Sequence, residues 1–198
     1  MRKIDVILSL ITGEGVAWLF VWFVKKSEFE LGFSVWLLPI FLPVLALICL
    51  WFAYFIGKKF LFVFQLAKFL LTGAFFSLID LVVLNFLMIR FGVTEGMPYL
   101  IFVAVSFVVA TCFKYVADKY WAFENAGKNQ LGLEFGKFFT ITLISAGIQI
   151  GVADLVVNEI GAQFGIDPLI WGNIGKIAGI TVASAWNFIG YKFIVFKK

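Results

Sequence analysis

The chain has 198 residues, of which 63% are hydrophobic and 14% charged, and its mean hydropathy is +1.03. Soluble domains are nearer half apolar and a quarter charged, so an ordinary soluble domain is excluded, and a net charge of +4 on so apolar a chain excludes a disordered or nucleic-acid-binding one. The absence of histidine removes His-based triads, proton shuttles and zinc sites. Cys49 and Cys112 lie inside apolar runs and read as small packing residues rather than a disulfide or a metal site.

A hydrocarbon core of about 30 Å needs about 20 mostly apolar helical residues. Six such runs occur, at 6–24, 31–56, 69–91, 99–120, 138–160 and 170–193. The expected fold is therefore an all-α integral membrane protein with six transmembrane helices. The first run contains Glu14 and ends at Lys25 and Lys26 without a small-residue cleavage site, so it reads as a retained span rather than a signal peptide. Gly13 and Gly15 flank Glu14 and weaken the helix there, which leaves two readings: a contribution to a site, or a partner for a lysine elsewhere. Pro39 and Pro43 are expected to kink the second span.

Basic residues mark the cytoplasmic side. Arg2, Lys3, Lys58, Lys59, Lys68, Lys114, Lys119, Lys128, Lys137, Lys192, Lys197 and Lys198 fall on one side, and only Lys25, Lys26 and Arg90 on the other, with Lys176 inside the last span. Both termini are expected in the cytoplasm, with Tyr120, Trp121 and Tyr191 at the inner interface and Tyr99 and Trp171 at the outer one. The longest loop in the four-span part, 124–136, leaves no room for a soluble catalytic domain.

Spans three to six contain a repeat. At an offset of 73, residues 113–123 (FKYVADKYWAF) match 186–196 (WNFIGYKFIVF), so that Lys119 falls on Lys192 and Phe123 on Phe196. At an offset of 69, Lys68-Phe69 falls on Lys137-Phe138 and Asp80 on Gln149. Two copies of a two-span hairpin imply parallel repeats about an axis along the membrane normal. Residues 1–60 then form an added N-terminal hairpin and residues 61–198 the four-span domain.

Ionisable groups inside a membrane are costly, by about 2.5–3.5 kcal/mol at the centre on insertion scales. Asp80 lies near the middle of its span and is read as a functional acceptor, as a counter-charge for a lysine, or as a polar contact between helices, with Gln149 as its counterpart. If no partner were stranded, Asp80→Leu would leave folding intact. Lys114 and Asp118 stand four apart on one helical face and can pair. Lys119 and Lys192 are expected at the inner interface, either in a functional role or as topology anchors. Asp154 and Lys176 share a depth and are expected to form a structural ion pair. Gly147, Gly151, Gly175, Gly179 and Ala183 are expected to let the fifth and sixth helices approach closely.

A four-span unit that opens with Lys68-Phe69 and a glycine, carries Asp80 midway along its first helix, and closes with Asn187-Phe188 through Lys192 to Val195-Phe196 resembles the GtrA-like family, which includes the membrane part of some dolichol-phosphate mannose synthases. The first half departs from the pattern by carrying Lys114 where the family has Asn. The resemblance implies a prokaryotic membrane protein associated with polyprenyl-phosphate-linked sugars. Under it, Lys114, Lys119, Asn187, Tyr191 and Lys192 are candidate lipid-phosphate ligands, and Glu14, Asp80, Asp118 and Gln149 candidates to bind sugar or line its path. The expected function is a flippase-like translocator of such lipids for cell-wall polysaccharide or glycoconjugate synthesis. The alternative is a non-catalytic subunit that anchors or stabilises a polyprenyl-phosphate glycosyltransferase. No enzymatic activity, cofactor or metal is expected. Expected partners are the lipid-linked sugar and membrane lipids, with a membrane-associated glycosyltransferase and a second copy of the chain as further candidates, in the plasma membrane.

Overall fold

The computed structural model describes residues 1–26, 34–124 and 131–195. Among these there are six α-helices and no strand: α1 (Lys3–Lys26), α2 (Leu38–Gly57), α3 (Leu61–Phe91), α4 (Gly96–Ala117), α5 (Leu131–Asp154) and α6 (Pro168–Gly190). Five of the six helical segments, all but α6, are long and apolar enough to cross a membrane. The sixth, α6, has 23 residues, or about 34 Å at 1.5 Å per residue. It is more polar than the others because it carries Asn173, Lys176 and Asn187, all buried. The molecule is an all-α integral membrane protein. Lys128, Phe196, Lys197 and Lys198, and the first residues of the expected second span, lie outside the described residues.

Three helices end in π-helical turns: Asp118–Ala122 after α4, Leu155–Ile160 after α5 and Tyr191–Val195 after α6. The first and last of these are five residues each and are displaced by the same 73 positions that align the sequence repeat. The repeat is thus expressed in the backbone as well as in the side chains. The segment after α5 stops at Gly161, whose φ of 70° and ψ of 169° belong to a region open essentially to glycine alone. Asp167 then caps α6, accepting from the N–H groups of Leu169 (2.8 Å) and Ile170 (3.4 Å), with Pro168 in the first turn where its missing donor costs nothing.

The chain packs as two compact units. One comprises Met1–Ile79 and Phe113–Glu124; the other comprises Asp80–Cys112 and the described part of Asn125–Lys198. Helices α3 and α4 each run through both. Lipid gives helices no hydrophobic reason to associate, so close backbone approach and interhelical hydrogen bonds carry the packing.

In the first unit, Leu50, Ala53, Phe64 and Trp121 form a buried apolar cluster. Gly13 lets α1 lie on α2: a Cβ there would stand 2.6 Å from Pro43 Cα. Gly15 meets the ring of Phe75 in the same way. The two glycines therefore serve contact rather than opening the helix at Glu14, and α1 runs through them unbroken.

In the second unit, Leu84, Met88, Tyr99, Val103, Ala153 and Val157 form the apolar centre. Here α6 supplies the small residues. A Cβ on Gly175 would strike Val157, one on Gly179 would lie 2.6 Å from the Gln149 carbonyl oxygen, and one on Gly190 would lie 2.6 Å from Ile141 Cγ2. Gly147 and Gly151, expected in the same contact, face open space instead. The packed face of α5 runs through Ile141, Ser145, Gln149 and Ala153, all buried and four apart, and the two glycines fall on the other side of the helix.

Candidate functional site

Many polar residues of the spans are buried, and several are joined to one another. In the second unit, Lys176 is fully buried on α6 and its ammonium meets three acceptors: Asp80 Oδ1 at 2.8 Å, the Val103 carbonyl at 3.0 Å and Ser106 Oγ at 3.0 Å. Gln149 Nε2 donates to the other Asp80 oxygen at 3.1 Å. A charge inside a protein needs its hydrogen-bonding capacity filled; here Val103 and Ser106 take hydrogen bonds from the ammonium, while Asp80 Oδ1 meets it as an ion pair without hydrogen-bond geometry. The expected pairing of Lys176 with Asp154 does not occur. Depth matches, but a helix turns about 100° per residue, since it has 3.6 residues per turn, and Ala153 rather than Asp154 faces α6. Asp154 instead accepts from Asn158 Nδ2 at 2.6 Å.

Toward the start of α6, Asn85 and Asn173 exchange amide hydrogen bonds of 2.6 and 2.9 Å, and each gives its second proton to a helix carbonyl, of Leu81 and Leu169. Tyr99 donates to the Gly172 carbonyl at 2.8 Å. Toward its end, the Tyr191 hydroxyl and Thr142 Oγ1 are 3.0 Å apart, and the Tyr191 ring tilts against Phe138. Between these, Ser145 Oγ and Asn187 Oδ1 are buried without a hydrogen-bond partner among the described residues. Lys192 is half-buried on the last π-helical turn, 5.7 Å from the centre of the Phe193 ring.

In the first unit, Asp118 is buried at the start of its π-helical turn and pairs with Lys114, as their spacing predicts. Thr72 Oγ1 donates to the other Asp118 oxygen at 2.7 Å, and the Lys114 ammonium lies 3.9 Å from the centre of the Phe69 ring. A threonine of the preceding helix thus bonds the first residue of the π-helical turn in both halves, Thr72 to Asp118 and Thr142 to Tyr191. Lys119 is buried as well, its ammonium 5.8 Å from the ring centres of Tyr115 and Tyr120. Glu14 accepts from Trp18 Nε1 at 2.7 Å and belongs to neither cluster.

A further cluster joins the N-terminal hairpin to the start of the repeat. Lys68 is fully buried and bridges Asp5 Oδ1 (2.7 Å) and Glu124 Oε1 (2.6 Å), Arg2 meets both carboxylates, and Trp121 Nε1 donates to Asp5 at 3.2 Å. The hydrogen bond to Asp5 holds the Arg2 guanidinium above its ordinary range. Of the aromatics expected among headgroups, Tyr99, Trp121 and Tyr191 are buried, because each finds an internal partner for its polar atom. Tyr120 is exposed. Sequence reasoning missed Arg2, Asp5, Glu124, Asn85, Asn173 and Ser106. The presence of two intramembrane asparagines, which no charge count includes, was the available signal for the Asn85–Asn173 pair.

A helical membrane unit built from two two-helix repeats, each closing in a π-helical turn and each holding a buried polar cluster, defines the class. The family model of the GtrA/DPMS transmembrane domain matches residues 68–196, and the chain belongs to that family. No curated protein and no solved structure matches it.

Proposed function

We propose that this protein carries polyprenyl-phosphate-linked sugars across the plasma membrane for cell-surface polysaccharide or glycoconjugate synthesis, without catalysing a reaction itself. The observation that carries this reading is the column of buried polar side chains in the second unit. On α6 and its π-helical turn it runs from Asn173 through Lys176 and Asn187 to Tyr191, and Asn85, Asp80, Gln149 and Ser145 join it from α3 and α5. From Asn173 to Tyr191 is about 27 Å at the helical rise, close to the hydrocarbon thickness of about 30 Å. A subunit that only held a lipid phosphate at one face would need polar groups at that face alone.

Within the column, Asn187 Oδ1 and Ser145 Oγ offer unfilled hydrogen-bonding capacity of the kind a sugar hydroxyl satisfies. Lys119 and Lys192, equivalent residues of the two π-helical turns, are the proposed cations for the phosphate. Lys114 serves that role less directly, because Asp118 already engages it. Both termini are cytoplasmic in this reading, so reporter fusions at Lys198 and next to Glu95 should report opposite sides.

The functional test is movement of a labelled polyprenyl-phosphate sugar between the leaflets of vesicles containing the purified protein, compared with empty vesicles. Faster movement supports the carrier. No movement, together with higher activity of an added polyprenyl-phosphate glycosyltransferase, replaces it with the anchoring subunit.

A further inference from the structure

We infer that Arg2 and Lys68 form a binding site for a singly charged phosphodiester, occupied in this structure by the Glu124 carboxylate. The two cations converge on one atom: Arg2 Nη2 is 2.7 Å and Lys68 Nζ 2.6 Å from Glu124 Oε1. Two charged donors on a single anionic oxygen is a geometry that a phosphoryl oxygen accepts equally well.

The two carboxylates of the cluster differ in how firmly they are built in. Asp5 is 1% exposed and takes hydrogen bonds from the Arg2 backbone (2.9 Å) and from Trp121, in addition to its contact with Lys68. The Glu124 side chain is 35% exposed, and its backbone has a φ of 51°, in the left-handed region that a side chain other than glycine rarely adopts. Glu124, with the more exposed side chain and fewer contacts, is the exchangeable member. The Arg2 side chain is 52% exposed, so the site is reachable from outside. Arg2 immediately precedes the first candidate span and Glu124 follows the end of the fourth, and residues just outside a span are those that meet lipid headgroups.

Charge selects the ligand. With Glu124 withdrawn, Arg2 and Lys68 carry two positive charges against the single negative charge of Asp5. A phosphodiester restores neutrality, whereas a phosphomonoester at pH 7 carries about −1.5 to −2 and overshoots. A polyprenyl-phosphate sugar is a diester and the bare polyprenyl phosphate a monoester, so the site distinguishes loaded from unloaded lipid. The sugar-carrying lipid as source of the diester rests on the function proposed above; phosphatidylglycerol and inorganic phosphate are the competing sources.

The experiment measures equilibrium binding to the full-length protein in phosphatidylcholine nanodiscs. The probes are a short-chain polyprenyl-phosphate hexose, the matching polyprenyl monophosphate, short-chain phosphatidylglycerol and inorganic phosphate. Glu124→Gln should tighten the hexose lipid by about tenfold, the worth of one charge-assisted hydrogen bond, and the monophosphate by less. Arg2→Gln should weaken the hexose lipid by about as much. Both variants leave the Asp5–Lys68 pair in place, though Arg2→Gln also removes the Arg2–Asp5 contact, so melting temperatures are compared alongside binding. Unchanged or weaker binding in Glu124→Gln, or indifference to Arg2→Gln, overturns the site. An equal gain for phosphatidylglycerol or inorganic phosphate overturns the assignment to lipid-linked sugar. Protein that moves lipid across vesicles while its binding ignores both substitutions keeps the carrier and loses this site; protein that moves none while its binding follows both does the reverse.

Discussion

Gln149 donates a hydrogen bond of 3.1 Å to Asp80, and the two residues occupy the same position in the two halves of the repeat, 69 residues apart. The repeat therefore meets itself at this point. Lys176 closes the group from α6, so one carboxylate is shared between its own counterpart and a cation.

The consequence for stability reverses the expectation from sequence that Asp80→Leu would be tolerated. Asp80 has a buried cationic partner, and removing one member of such a pair costs about 3–5 kcal/mol by leaving the other uncompensated. Asp80→Leu and Lys176→Leu should each lower the melting temperature of the purified protein. The double variant Asp80→Leu/Lys176→Leu should recover most of the loss, because no charge is then stranded. Additive losses in the double variant would show that the two do not act as a pair.

Contact between α5 and α6 rests on Gly179 rather than on Gly151. Gly179→Ala would place a methyl group 2.6 Å from the Gln149 carbonyl oxygen, and forcing the helices apart should cost about 1–3 kcal/mol. Gly151→Ala meets open space and should be neutral or stabilising by about 0.5–1 kcal/mol through helix propensity. Thermal unfolding of the two variants side by side checks the difference.

The Lys114–Asp118 pair makes a graded prediction. Thr72→Val removes one hydrogen bond to a carboxylate that keeps its lysine and should cost about 1–3 kcal/mol. Asp118→Leu leaves the lysine without its carboxylate and should cost about 3–5 kcal/mol, most of it recovered in Asp118→Leu/Lys114→Leu. Equal losses in Thr72→Val and Asp118→Leu would contradict this order.

What the sequence revealed and what it hid follow from distance along the chain. The helices were legible because a bilayer imposes long apolar runs. The Lys114–Asp118 pair was legible because four residues make one helical turn, and the kinship of Asp80 and Gln149 because the repeat keeps a constant offset. The partner of Lys176 was not: choosing Asp80 over Asp154 depends on how each helix is rotated, and depth alone does not fix rotation. Arg2 and Glu124 stand 122 residues apart and Asn85 and Asn173 stand 88 apart. No local pattern joins them; packing does.

In the proposed function, sugar passes through the second unit at Asp80, where a buried polar group replaces hydrogen bonds that hydrocarbon withholds, each worth a few kcal/mol when unmade. The direct measurement is the rate at which a labelled polyprenyl-phosphate sugar changes leaflet in vesicles holding equal amounts of folded wild-type protein or Asp80→Leu/Lys176→Leu, the pair in which no charge is stranded. The account predicts movement with the wild type and a loss of at least tenfold with the double variant at matched stability. Equal rates in the two, from protein equally well folded, would contradict it.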